Sequence, residues 1–246
     1  MKKLINISLA LMVLTFAACK KNNTDIVPVP NTVVPKLKTF TIMNGATTLN
    51  TIAYEYDNTG RLVKNNFMDG SKYTYTYTGA VLLLETFLPN GTSQNKYTYT
   101  LNAEGLAESY YNNATATNIG YQFFNAAKQL TLETTKTNGV LTFQKYHEYD
   151  IAGNNLKDSV VQANGVTIRT YEYYTDIIST ITNINIGDYY DGVGNKNCVK
   201  KQTSKSPLNV ITITTYTVPE LDAQGRVIKQ SYTSGTTTTD YLYTYY

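Results

Sequence analysis

Tryptophan is absent from this chain of 246 residues, histidine occurs once and cysteine twice, and charged side chains make up only 16%. Each scarcity closes off a class of function. The one histidine, His147, leaves no cluster of imidazoles for a zinc centre. No Gly-x-Ser-x-Gly elbow and no phosphate-cradling glycine loop occurs. Helix formers such as Ala and Glu are sparse, and no window carries the helical period. The formal charge is +3, and Lys2 and Lys3 lie in a segment expected to be removed, which leaves 19 basic against 18 acidic residues. That balance is too even for a nucleic-acid groove. No cofactor and no enzymatic activity are therefore expected. The alternative of a carboxylate-dependent hydrolase needs only two acids at the right separation, but most acids here read as turn or outer-face residues.

What the chain does have is tyrosine, 23 residues of it, with abundant Thr and Asn. Tyr and Thr fit the pleated, half-buried surface of a strand, so the composition predicts an all-β domain.

The N-terminus carries a localisation signal. Lys2 and Lys3 precede an apolar run, Leu4 to Ala18, too short for a comfortable membrane span. It ends Thr15-Phe16-Ala17-Ala18-Cys19, which resembles a bacterial lipobox, with Phe16 where Leu is usual. The resemblance implies cleavage of residues 1–18 and lipidation of Cys19. Acyl chains anchor at ~0.8 kcal/mol per buried methylene, so the membrane partner would be reached without a spanning helix. Cys198 is then left without an internal disulfide partner and reads as a buried thiol. Residues 19–35, with Pro28, Pro30 and Pro35, read as a semi-rigid extended tether.

From residue 36 two kinds of turn alternate. Asp-x-x-Gly is clear at Asp57–Gly60, Asp150–Gly153 and Asp222–Gly225, and weaker at Asn102–Gly105 and Asn125 to Lys128. Asp57 can bond its own backbone two residues on, and Gly60 accepts positive φ. The second kind is a two-residue hairpin signal: Asn44-Gly45, Asp69-Gly70, Asn90-Gly91, Asn138-Gly139, Asn164-Gly165 and Ser234-Gly235. These pairs suit type I′ turns. The first-kind turns are spaced 45, 23, 25 and 72 residues apart, close to two, one, one and three units of about 23. One unit is strand, Asx turn, strand, hairpin, which predicts an antiparallel meander of about 14–16 short strands.

Tyr54-Glu55-Tyr56-Asp57-x-x-Gly60-Arg61-Leu62 and Asp222-x-x-Gly225-Arg226-Val227 resemble the YD repeat of rearrangement-hot-spot and teneurin-type proteins. Asp150–Gly153 keeps the turn but has Asn154 in place of the Arg. With the lipobox, the chain resembles secreted YD-repeat lipoproteins of Bacteroidota. The resemblance implies a curled open sheet or a small barrel, and an outer-membrane lipoprotein of the cell envelope facing either the periplasm or the surface.

One face of alternate strands carries rings: Tyr54/Tyr56, Tyr73/Tyr75/Tyr77, Tyr97/Tyr99, Tyr121/Phe123, Tyr171/Tyr173 and Tyr241/Tyr243. Two readings of this face stand. It could hold a glycan or the segment of another envelope protein, with Tyr75, Tyr77, Tyr97, Tyr99, Tyr171 and Tyr173 as the ligand-facing candidates. Alternatively the rings are simply the core, and the protein is a scaffold or adhesin-like spacer without a small ligand. The repeat lapses over 186–208. There Asp188, Asp191 and Asn195 are hard oxygen donors that could meet a cation, although their spacing is not that of an EF-hand; an exposed loop is the plainer expectation. Alternation with Tyr149 places His147 on the aromatic face.

Overall fold

The structure is a computed structural model that describes residues 34–115 and 117–246; the signal segment and Cys19 lie outside the described residues. Seventeen strands run in chain order. They are β1 Leu37–Asn44, β2 Thr47–Tyr56, β3 Leu62–Phe67, β4 Lys72–Thr78, β5 Val81–Phe87 and β6 Ser93–Leu101. β7 Ala107–Asn112, β8 Asn118–Phe124, β9 Leu130–Thr137, β10 Val140–Tyr149, β11 Asn155–Gln162 and β12 Gly165–Ile178 follow. The last are β13 Asn197–Lys205, β14 Ile211–Tyr216, β15 Glu220–Leu221, β16 Val227–Ser234 and β17 Thr237–Tyr245.

Successive strands pair antiparallel, apart from β14 and β15, and β1 closes the ring on β17. β14 and the two-residue β15 both lie along β16, so the strands fill sixteen places in a closed barrel. The expectation of a curled open sheet or a small barrel is corrected to this wide closed one. Closure removes the free edges of the sheet except beside the two-residue β15, which pairs with β16 alone.

The two turn types segregate to opposite rims. At one rim the five Asx turns share one geometry: the Asx N–H donates to the carbonyl four residues on, at 2.9 Å for Asp57 and Asp222, 2.8 Å for Asn102, 3.0 Å for Asn125 and 2.9 Å for Asp150. Each is followed by a register shift in the next strand, where Tyr56 pairs with Leu62 but Glu55 with Lys64, and likewise at Leu101, Phe124, Tyr149 and Leu221. Such a bulge increases the local twist that curls the sheet. In the two best copies the Arg is a clamp. Arg61 Nε donates to Asp57 Oδ2 at 2.8 Å while its guanidinium lies over the Tyr77 ring at 4.4 Å. Arg226 repeats this on Asp222 and Tyr245.

At the other rim, Asn138 and Gly139 both take positive φ, 52° and 80°, as a type I′ hairpin requires. Asp69-Gly70 and Asn90-Gly91 instead sit in longer loops closed by Gly70 N–H on the Phe67 carbonyl and Gly91 N–H on that of Leu88.

Alternation then sorts the faces. Outward, Glu55, Lys64, Thr74, Glu85 and Lys96 lie side by side on five adjacent strands. Ion pairs continue round the outside: Lys157 with Glu148 at 2.6 Å, Lys201 with Glu172 at 2.8 Å, and Lys229 between Glu220 and Asp240. Exposed apolar groups such as Ile119, Phe123, Leu141 and Ile213 collect on β8–β14, where Lys136, Lys157 and Lys201 interrupt them. A lipid-facing barrel wall has the opposite pattern, an unbroken apolar band outside and a polar interior. Here most rings point inward, with Leu37, Tyr54, Leu62, Tyr75, Leu82, Val227 and Tyr243 buried. The expectation for Tyr121 and Phe123 is corrected, since in β8 the inward positions are Gln122 and Gly120 and Phe123 is exposed outside. No helix among the described residues is long and apolar enough to cross a membrane.

Candidate functional site: a stoppered lumen

The irregular segment lies at 179–196, between β12 and β13, rather than at 186–208; residues 197–205 are strand. It forms one helical turn, α1 (Asn183–Ile186), and a 3-10 turn over Tyr189–Asp191. Asn185 Oδ1 accepts from both the backbone N–H and the hydroxyl of Thr182, at 3.1 and 2.8 Å, which closes the turn on itself. The segment is buried at Asn185 and Tyr190, because it enters the barrel as a stopper. Its bonds reach the wall at widely separated strands. Leu62 N–H at β3 donates to the Gly187 carbonyl (3.3 Å), and Val193 N–H to that of Lys128 beyond β8 (2.9 Å). Asn155 N–H in β11 donates to Asn195 Oδ1 (2.9 Å), and Val227 N–H in β16 to Thr180 Oγ1 (2.9 Å). Lys36 Nζ donates to the Ile184 carbonyl and the Tyr189 hydroxyl. All these contacts lie at the Asx rim, so that rim is the sealed one.

The stopper meets two unlike walls. Over β1–β7 and β16–β17 the wall is aromatic and aliphatic. Tyr190 packs against Tyr99 at 5.2 Å and Tyr75 at 6.5 Å between centroids. A continuous ring ladder runs from Tyr216 through Tyr232 and Tyr241 to Phe40 and Tyr243, with centroids 5.0–5.9 Å apart. Such contacts add about 0.5–1.5 kcal/mol each beyond area burial. Between stopper and ladder lies a cavity of about 240 Å³ lined by Thr182, Asn183, Asn195, Tyr216, Gln230 and Tyr243 among others.

Over β8–β12 the wall is polar. One inward row runs Gln122, Glu133, Lys145, Val160, Thr167 and the next His147, Asp158, Arg169, Ser204. Asp158 is 3% exposed and has four neighbours for its two oxygens. His147 Nδ1 (2.8 Å) and Asn155 Nδ2 (2.6 Å) meet Oδ1, and Tyr171 donates to Oδ2 (2.8 Å) with Lys145 Nζ at 3.8 Å. Burial alone would raise this carboxyl, but those donors outweigh it and hold it well below the usual carboxylate range. The stopper carboxyls have the reverse balance. Burial, then the neighbouring Asp191 charge, pushes Asp188 up to about 7, with Lys36 opposing. Burial pushes Asp191 up to about 6 against a hydrogen bond from Gln122. Asp188 Oδ1 is buried with no partner among the described residues.

The ring candidates divide between these walls. Tyr75 is buried and its hydroxyl accepts from Asn65 Nδ2 (3.0 Å). Tyr99 packs on the stopper, and Tyr77 lies under Arg61. Tyr97 is half-buried opposite Leu84. Tyr171 donates to Asp158, and Tyr173 to the Asn155 carbonyl (2.6 Å). The three oxygen-donor candidates share the stopper but have separate partners: Asp191 accepts from Gln122 (3.2 Å) and Asn195 from Asn155. No group of three His, Cys, Asp or Glu able to hold a metal occurs among the described residues. His147 does take the inward face, and Cys198 is buried with its thiol pushed up to about 11. Most acids do lie in turns or on the outer face, as with Asp57, Glu55, Glu148 and Glu172; Asp158 and Glu133 are exceptions that face in. Their wall was signalled by parity: Lys145 and His147 alternate with Tyr149, and Arg169 with Tyr171.

Toward the hairpin rim the inward side chains of Ile52, Tyr73, Lys145, Arg169 and Tyr232 are only half-buried. Solvent therefore reaches the inner wall in part from that side, which makes the hairpin rim the candidate mouth of a cup-like lumen.

No family model matches the sequence, so the YD-repeat resemblance has no support there, and no curated protein matches either. The fold has solved counterparts. A porin-like protein from Bacteroides uniformis superposes with a TM-score of 0.66 at 17% identity, over 85% of this chain and 98% of that one. A porin-like protein from Bacteroides vulgatus gives 0.56 at 10% identity, over 86% and 99%. At these identities the likeness is one of fold, and what this chain shares with them is the closed antiparallel barrel.

Proposed function

We propose that this protein is a non-enzymatic envelope lipoprotein, held to the outer membrane through Cys19, whose stoppered barrel stands in water and receives a ligand at the hairpin-rim mouth. The observation that carries the reading is the sorting of the faces: ion pairs and threonines outside, rings inside, and one rim filled by the chain's own 179–196 segment. A spanning porin wall would bury the outward Glu55, Lys64, Glu85 and Lys96 in hydrocarbon, at ~2–4 kcal/mol for a basic residue at the bilayer midplane. The porin-like neighbours from Bacteroides support an envelope location for such a barrel, and the lipobox supports attachment by acyl chains. A glycan, or a segment of another envelope protein, suits a lumen that offers ring faces and amides together. YD-type repeats remain the best account of the recurring Asx turns.

The scaffold reading draws support from the tight packing of Tyr75, Tyr99 and Tyr190, which removes that part of the ring face from any ligand. A hydrolase would need two acids across an open cleft; the inward pair Glu133 and Asp191 is instead bridged by Gln122 Nε2, at 3.5 and 3.2 Å.

Two measurements test the proposal. The mature chain carrying Cys19→Ser should purify without detergent as a folded protein, and a requirement for detergent would contradict it. A glycan and peptide array should return binding that is lost when the mouth is blocked by a bulky probe at Ser204→Cys. An array with no binder would favour the scaffold.

A further inference from the structure

Arg169 lies inside the barrel with nothing to hold. It stands directly opposite Asp158 across the β11–β12 ladder, the place where an arginine would normally form an ion pair. Asp158 is already saturated by His147, Asn155, Tyr171 and Lys145. Among the described residues Arg169 makes no ion pair, no side-chain hydrogen bond and no ring contact, while every other arginine is clamped: Arg61 on Asp57 and Tyr77, Arg226 on Asp222 and Tyr245. Its guanidinium offers five donors in a planar fork that matches a carboxylate in bidentate fashion. The inward neighbours are hydrogen-bonding groups of the right sort for the rest of such a ligand: Tyr171 one turn of the pleat deeper, and Ser204 opposite it on β13. The position is half-buried, where a charge-assisted bond is stronger than on an open surface.

We propose that the cup binds a carboxylate-bearing ligand and that Arg169 is the residue that grips the carboxylate. This rests on the cup reading above and names the chemistry of its ligand. Acidic sugars and peptide C-termini share that chemistry, and the test separates them.

The mature chain is titrated calorimetrically with four probes: a uronic-acid oligosaccharide, the matching neutral oligosaccharide, an N-acetylated peptide with a free C-terminus, and the amide of that peptide. Wild type should prefer one acid probe over its neutral partner, and Arg169→Gln should weaken that binding about tenfold or more. Arg169→Lys, which keeps the charge and loses the fork, should recover only part. Lys205→Gln, on the outer face, should leave binding unchanged. Because Arg169 has no partner, both substitutions should leave the melting temperature where it was, and Arg169→Lys keeps the test alive if Arg169→Gln folds poorly. Equal binding of acid and neutral probes, or acid binding indifferent to Arg169, overturns the inference while leaving the cup reading intact. Absence of any binder, on this titration and on the array, overturns both.

Discussion

Asp158 and Asp188 are buried carboxylates with opposite surroundings, and the contrast can be measured. Asp158 is held ionised by its donors, so Asp158→Ala leaves His147, Asn155 and Lys145 facing an empty site. Chemical denaturation should register a loss of about 3 kcal/mol, and a loss below 1 kcal/mol would mean the network is slack. Asp188 and Asp191 work the other way. Their folded-state values, about 7 and about 6, lie above the ordinary 3.8, so the folded protein binds more protons than the unfolded chain. Their contribution is fully present below about pH 4 and is lost as pH rises through 6 and 7. That of Asp158 is present above about pH 4 and lost in stronger acid. The melting temperature should therefore fall from pH 5 to pH 8, and Asp188→Asn should flatten that fall. A wild-type protein more stable at pH 8 than at pH 5 would refute the assignment. Neither burial was legible in the sequence. Alternation gives the face of a strand residue, but Asp188 sits in a segment without period, where no rule says in from out.

The Asx turn is the element that the sequence stated most clearly. All five positions read from spacing adopt the same backbone bonds and the same following bulge, including the weak copies at Asn102 and Asn125. The turn is written in its own residues, so it survives loss of the surrounding consensus. Where Arg61 and Arg226 are replaced, the substitutes have other partners. Gln129 Nε2 donates to the Gly153 carbonyl (3.1 Å), and Asn154 Nδ2 to Asn197 Oδ1 (3.1 Å), tying neighbouring turns to each other and to β13. The spacing of 72 was misleading. It holds two units rather than three, because residues counted as strand belong to the stopper and to the 14-residue β12. The stopper also makes a sharper demand on glycine than any turn. Gly192 has φ +77°, and an added Cβ would strike the Lys128 carbonyl and come within 2.8 Å of the Phe124 ring. Gly60 has φ +80°, but its nearest neighbour is the flexible Lys36 stem at 3.2 Å. Gly60→Ala should cost about 1–2 kcal/mol from backbone strain alone. Gly192→Ala should cost more and speed amide exchange at Val193, which bonds the same Lys128 carbonyl; equal costs would show that the stopper yields freely.

At the scale of the whole molecule, ring closure was the feature hardest to foresee. A meander reads identically whether its ends meet or not, since the deciding pairs, Phe40 with Tyr243 and Ile42 with Tyr241, join residues about 200 positions apart. The meander predicted the pairing of successive strands, but neither the sharing of β16 by β14 and β15 nor the joining of the first strand to the last. Closure brings the chain ends to one rim, where Tyr246 N–H donates to the Lys36 carbonyl at 3.1 Å. A permutant opened at Asn138-Gly139, with a short linker from Tyr246 to residue 34, should fold with wild-type circular dichroism and a cooperative melt. Failure to fold would mean that the β9–β10 hairpin is needed to start the ring.

The chain joins the barrel at its sealed rim, and β1 runs from there to the mouth with a full ladder on each side, one to β2 and one to β17. Suppose a ligand gripped at the mouth is tugged while Cys19 stays fixed in a membrane. The tension then travels lengthwise through β1, perpendicular to its hydrogen bonds. Two ladders must shear together before the strand slips, and no end is free to unzip. The arrangement is that of a mechanical clamp, strongest against a pull directed along β1.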